Sequence, residues 1–145
     1  MTERYEERIR SSFARQGLMG TLGATLGNIA PGYVEIVMRP VPAISQQHGF
    51  THAGAIGAIA DSAAGYAALS MAPDGTGVLT VEFKINFLAP AAGERFVARG
   101  RVMKAGRTLT VAQTEVAAES GGKEKLIALL TATIMTIVER EGVSD

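Results

Sequence analysis

Cysteine is absent from this 145-residue chain, which removes a disulfide framework, a thiolate nucleophile and zinc–thiolate coordination from the available chemistries. A reducing, cytoplasmic setting fits that lack. Surplus charge is missing too: 14 Lys and Arg balance 14 Asp and Glu, and a pI near 6.7 gives no global attraction to nucleic acid or to an anionic membrane. The chain also lacks a sustained repeat of about 20 to 50 residues, a low-complexity segment and a convincing linker. With 47% hydrophobic residues, one domain spanning 1–145 with a substantial core is the expectation. The start, MTERYEERIR, is too charged for the apolar region of a secretory signal.

Charge is scarcest in the middle of the chain. Between Arg39 and Asp74 the single formal charge is Asp61, set in the run Gln46 to Asp61, QQHGFTHAGAIGAIAD. On a helix its neighbours three and four positions away are Gly57, Ala58, Ala64 and Gly65, so no intrahelical ion pair is available. Burying an unpaired carboxylate is costly and raises its pKa, so such a group is either locally solvated or used. Ala53 to Ala72 is long enough to be weighed as a membrane span, but its Ala/Gly richness and central acid read as a buried helix of a soluble protein.

Periodicity supplies the elements around that run. Tyr5, Ile9 and Phe13 recur every four residues, predicting a surface helix from Thr2 to Gln16 that Gly17 closes. Leu18 to Ile29 reads as a Gly-rich extended stretch, Ala30-Pro31-Gly32 as a turn, and Tyr33 to Arg39 as the second strand of a hairpin. The long helix starts near Ala53 and stops near Met71, before Pro73-Asp74-Gly75. Four strand-like runs follow, at Val78–Leu88, Arg95–Lys104, Thr108–Ser120 and Lys125–Val138, and their short connections predict antiparallel neighbours. One apolar helix with six strands predicts an α+β domain whose sheet curls around the helix.

His52 precedes the helix, and the N–H groups of Ala53 and Gly54 are among those without an intrahelical acceptor. Such a helix start favours a polarised carbonyl or a developing oxyanion. Asp61 follows Ala53 by eight residues, which at ~1.5 Å per residue is about 12 Å. One reacting atom cannot touch both. General-base chemistry works over ~3 Å, so Asp61 has to meet the helix start of a second copy, and catalysis here implies a symmetric homodimer.

The combination of His52-Ala53-Gly54, Asp61 and the later VEFKINFLAP resembles the hotdog-fold acyl-CoA thioesterases of the phenylacetate-degradation (PaaI-like) group, over about Leu22 to Val138. The family pattern is Asn, five spacers, His-Gly-Gly, then Asp seven residues on. Gln46, His52, Ala53, Gly54 and Asp61 keep that spacing, with Gln for Asn and Ala for the first Gly. The resemblance implies a curved sheet of about six strands around one helix and hydrolysis of acyl-CoA to acid and CoA. Asp61 would be general base or nucleophile, the Ala53 N–H would polarise the carbonyl, and Thr80 would help position the attacking water. No separate cofactor is expected, CoA being part of the substrate, and the homodimer is expected to pair into a homotetramer, whose arrangement the sequence does not fix. Two other readings stay open: a hotdog dehydratase or hydratase recruiting His52 on enoyl-CoA, and a nonenzymatic acyl-CoA-binding module.

His48, beside Gly49, reads as a solvated or capping loop residue, while His52 is equally suited to fixing the loop. With Asp61 the two histidines do not make a metal-ligand set, and no metal is expected. Ser120-Gly-Gly-Lys123 lies on a turn without companion motifs and carries no catalytic meaning. From Lys84 to Arg107 six basic residues face Glu94 alone. Most such charges solvate a sheet face. The turn holding Lys104, Gly106 and Arg107 is the candidate binder of the CoA phosphates, and the stretch lacks the interleaved aromatics of a nucleic-acid binder. Walls of Ile, Leu, Met and Phe leave the acyl group open.

Overall fold

Alternation of apolar and polar side chains gives each strand one face for the core and one for water. A computed structural model describes residues 2–138. It contains α1 (Thr2–Ala14), α2 (Gly17–Thr21), β1 (Thr25–Ala30), β2 (Tyr33–Met38), α3 (Ala53–Leu69), β3 (Thr76–Phe87), β4 (Arg95–Ala105), β5 (Leu109–Ser120) and β6 (Lys123–Val138). Met1 and residues 139–145 of the expected domain lie outside the described residues. The strands form one six-stranded antiparallel sheet in the order β1-β2-β4-β5-β6-β3. Val34, Ile36 and Met38 from β2, Ala112, Thr114 and Val116 from β5, and Ala128, Leu130, Ala132 and Ile134 from β6 are buried in the core around α3. This is the expected α+β arrangement, a sheet wrapped around one long helix.

Two expectations fail at particular places. Residues 17–21 are helical, so Gly17 opens α2 instead of closing α1, and only Thr25 onward is extended. Met19 is fully buried there, and tertiary packing overrides the poor helix propensity of the glycines. The second concerns neighbours. The segment after β3 is short, yet β3 pairs with β6 at the sheet edge and not with β4. Leu88 and Ala89 donate to Ile127 O, and Glu94 donates to Glu119 O, so the connection runs across the ends of β6 and β5 before β4 begins. At the β5–β6 hairpin, Gly121 and Gly122 both have positive φ (57° and 76°), a two-residue turn that favours glycine.

Close approach fixes the helix on the sheet. A Cβ on Gly100 of β4 would lie 2.3 Å from Ala63 O, so glycine there lets β4 press against the backbone of α3. Thr114 Oγ1 donates to Ala60 O at 2.8 Å from the next strand. α1 lies over the end of this core through fully buried Ile9, worth about 1.5–3 kcal/mol. The Phe13 ring contacts Tyr66 at 6.0 Å between centroids, and Arg8 bonds the carbonyls of Ala72, Pro73 and Thr76. Among the described residues no helix is long and apolar enough to cross a membrane.

Candidate active site

The sheet covers α3 on one side only. Ile56, Ile59, Ala60, Ala63, Ala64 and Tyr66 are buried, while Gly54, Gly57, Ala58, Asp61, Ser62 and Gly65 form a partly open stripe at helical spacing. The tight packing therefore sits on the alanine side. Gly57 and Gly65 have open space where a Cβ would be, so sheet packing does not explain these two glycines.

Asp61 stands in the middle of that stripe. Thr80 Oγ1 on β3 donates to Asp61 Oδ1 at 2.8 Å. Desolvation holds the Asp61 pKa above the usual aspartate value, and the Thr80 bond pulls it partway back. The register of β3 against β6 shifts between Thr80 and Glu82. Such a bulge changes which side chains share a face: Thr80 reaches Asp61, Glu82 bonds Thr133 outside, and Phe83 again borders the cavity beside Asp61.

At the start of α3, His52 is the N-cap, and its Nδ1 accepts from Gly54 N–H at 2.7 Å. The Gly54 amide is thus committed to capping. Ala55 and Ile56 donate to His52 O, and among the described residues the Ala53 N–H has no acceptor. Of the two amides expected to polarise a carbonyl, Ala53 is the one left to do so. The Gln46 side-chain oxygen accepts from the backbone N–H groups of His48 and Phe50, closing the loop that leads to His52. His48 is exposed on that loop.

Three cavities follow the open stripe. One of ≈ 390 Å³ lies against Ala53, Gly57 and Asp61, with Phe83, Ile85 and Phe87 of β3 as its apolar wall. A second, ≈ 360 Å³, flanks the helix start at Gln46, His52 and Ala53. A third, ≈ 340 Å³, begins at Asp61 and Thr80 and runs away from the helix start toward Ser12 and Gln16. Sequence reasoning missed this third space, although Ile9, Ser12 and Phe13 share one face of α1 at i, i+3 and i+4, and Gln16 follows two residues after the helix ends.

Within one chain Asp61 and Thr80 come together, as do Gln46, His52 and Ala53, but the two groups remain separated along α3. Lys104 is the penultimate residue of β4, and Gly106 and Arg107 line a pocket with Ala68 and Met71, at the opposite end of α3 from His52. The Gly106 N–H donates to Leu109 O, and a Cβ there would strike that oxygen at 2.3 Å, so this glycine has a turn-forming reason. Three of the six basic residues are engaged on the outer sheet face. Arg95 pairs with Glu119, Arg99 with Glu124 and Glu35, and Arg101 stacks on Tyr33 at 4.4 Å. Among the described residues no cluster of three or more His, Cys, Asp or Glu could hold a metal ion.

The family model of the thioesterase superfamily matches residues 48–125, the segment holding His52, Asp61 and Thr80. A thioesterase family protein from Silicibacter pomeroyi is 51% identical, with a TM-score of 0.91 over 93% of this chain and 99% of its own. The E. coli PaaI protein from the phenylacetic acid degradation operon is 21% identical (TM-score 0.85; 94% and 95% covered), and a Haemophilus influenzae thioesterase is also 21% identical (TM-score 0.80; 88% and 87% covered). Those two show the shared fold alone. No curated protein matches the sequence. The curled sheet around α3, the match across the Asp61 segment and the half-identical relative together establish that this chain belongs to the thioesterase superfamily, as a hotdog-fold thioesterase with a PaaI-like backbone.

Proposed function

We propose that this thioesterase hydrolyses acyl-CoA at two equivalent sites of a homodimer, each made from Asp61 and Thr80 of one protomer and the α3 start of the other. The observation carrying this reading is a desolvated carboxylate, bonded on one oxygen by Thr80, on the helix stripe that its own sheet leaves open. That stripe also bears the Ala53 N–H, about 12 Å away at ~1.5 Å rise per residue, too far for one protomer to use both groups on one thioester. A second copy related by a two-fold axis brings each acid to the other chain's amide. Exposed apolar residues on edge strand β3, among them Val81 (56%) and Phe83 (45%), support this edge as the seam. Leu79, Met135 and Leu109, in register across β3, β6 and β5 and all exposed, support further pairing into a tetramer.

In this mechanism the Ala53 N–H takes up charge on the thioester oxygen as water adds to the carbonyl carbon. Asp61, with one oxygen held by Thr80, receives the water proton on the other. The C–S bond then breaks, and that proton neutralises the departing CoA thiolate. No cofactor is required. Lys104 and Arg107, which form no ion pair among the described residues, are the proposed partners of the CoA phosphates, with the tight turn at Gly106 presenting them. A cytoplasmic location, where CoA thioesters are made and used, suits this substrate.

Thiol release from a panel of acyl-CoAs tests the proposal. Asp61→Asn should lower kcat by about 10²–10⁴-fold with the dimer intact. Unchanged turnover would refute the assignment of Asp61. Arg107→Ala should raise KM for acyl-CoA with little change in kcat, and an unchanged KM would remove that turn from the substrate site.

A further inference from the structure

Asp61 and Thr80 sit at the shared rim of two different spaces. Toward the α3 start the cavity wall is apolar, and in the proposed dimer the thioester carbonyl enters from that side. On the far side the ≈ 340 Å³ cavity is floored by polar groups from the end of α1 and the turn after it, Ser12, Arg15 and Gln16. Gln16 Nε2 donates to Tyr66 OH at 2.8 Å, Ser12 Oγ shares a hydrogen bond with the same hydroxyl at 3.1 Å, and Ser62 Oγ approaches Gln16 Oε1 at 3.4 Å. A primary amide offers two donors and two acceptor sites. The bonds to Tyr66 and Ser62 use one of each, so the Gln16 amide retains a donor and an acceptor site for a ligand.

We infer that this space is the acyl-tail pocket, and that Gln16 selects acyl groups ending in a hydrogen-bonding group such as a hydroxyl. The inference deepens the proposed acyl-CoA hydrolysis and rests on it. With its carbonyl carbon beside Asp61 and its CoA arm toward the partner's helix start, a substrate has this cavity ahead of its acyl chain. At the ~30 Å³ that a water-sized group occupies in the liquid, the volume takes about ten heavy atoms. An apolar tail would leave the second donor and second acceptor site of the Gln16 amide unmatched, whereas a terminal hydroxyl both donates and accepts there. Gly65 lines the same space, and a Cβ there meets nothing within 4 Å, so a side chain at this position starts into the pocket without a clash at its Cβ.

The test measures kcat/KM of the full chain for 6-hydroxyhexanoyl-CoA, its near-isostere heptanoyl-CoA, and butanoyl-CoA. The native chain should favour the hydroxylated tail over heptanoyl by about tenfold or more, and Gln16→Leu should reverse that order. Gly65→Leu should depress both longer substrates relative to butanoyl by about tenfold or more. A role for Gln16 in merely docking α1 would lower all three substrates by one common factor. A common factor in both variants, or ratios that do not move, overturns the pocket assignment. Absence of thiol release from every acyl-CoA by the native chain would instead overturn the proposed hydrolysis, and this inference with it.

Discussion

Asp61 is held in its unusual state by two opposing influences, loss of water and one hydroxyl. Because Thr80 lowers the Asp61 pKa and desolvation raises it, Thr80→Val should raise it further. A general base works when ionised, so the acidic limb of the kcat/KM profile should move to higher pH in this variant. A pH–rate profile with an unmoved limb would separate Thr80 from the base. The same raised pKa bears on stability. Between the ordinary aspartate value of 3.8 and the higher folded one, the folded chain binds more protons than the unfolded, so the Asp61 contribution to stability falls as pH rises through that window. Asp61→Asn should therefore melt higher than the native chain at neutral pH, and the difference should shrink in acid; calorimetry at pH 7 and pH 4 reads it. His52 acts as a cap in this geometry, through Nδ1. His52→Asn preserves a capping acceptor and should keep most hydrolysis, while His52→Ala should cost about 0.5–2 kcal/mol in urea unfolding. Strong loss of activity in His52→Asn with an unaltered unfolding midpoint would give the ring a chemical role.

The elements show what a linear reading can reach. α3 was legible because its small apolar residues, single acid and preceding loop announce a buried helix with something to explain, and five of the strands, β2 to β6, were legible because alternation and turn glycines are local signals. Residues 17–21 were misread because a buried methionine decides the helix there, and burial is not local. The neighbour of β3 was misread because short connections usually join adjacent strands, whereas this one crosses two strand ends held by Ile127 O and Glu119 O. Thr80 was reached through family resemblance; the bulge that turns it toward Asp61 leaves no mark in the sequence. The polar pocket under α1 escaped because Ser12 and Gln16 become neighbours of Tyr66 only after α1 docks. Gly100 makes the same point about packing. Gly100→Ala forces a methyl toward Ala63 O and should cost about 1–3 kcal/mol in urea denaturation. A variant as stable as the native chain would mean that α3 and β4 are free to separate.

At the scale of the whole molecule, one protomer is complete as a fold, and under the proposed mechanism it is incomplete as a catalyst. Its core closes around the buried side of α3, yet its acid and its free amide lie too far apart on the other side to act on one carbonyl. The decisive measurement is complementation between two variants. Asp61→Asn removes the acid. Ala53→Pro removes the amide at the first helical position, where proline is well tolerated, and His52 already has the extended backbone (φ −60°, ψ 136°) that precedes proline. Each variant alone should release almost no thiol from acyl-CoA. Co-expressed, half of the dimers would be mixed, and each mixed dimer would hold one intact site, giving about a quarter of native activity if the site is shared across a two-fold axis. Recovery near that level is the result predicted; two inactive variants that stay inactive in well-formed mixed dimers would contradict a site built from both protomers.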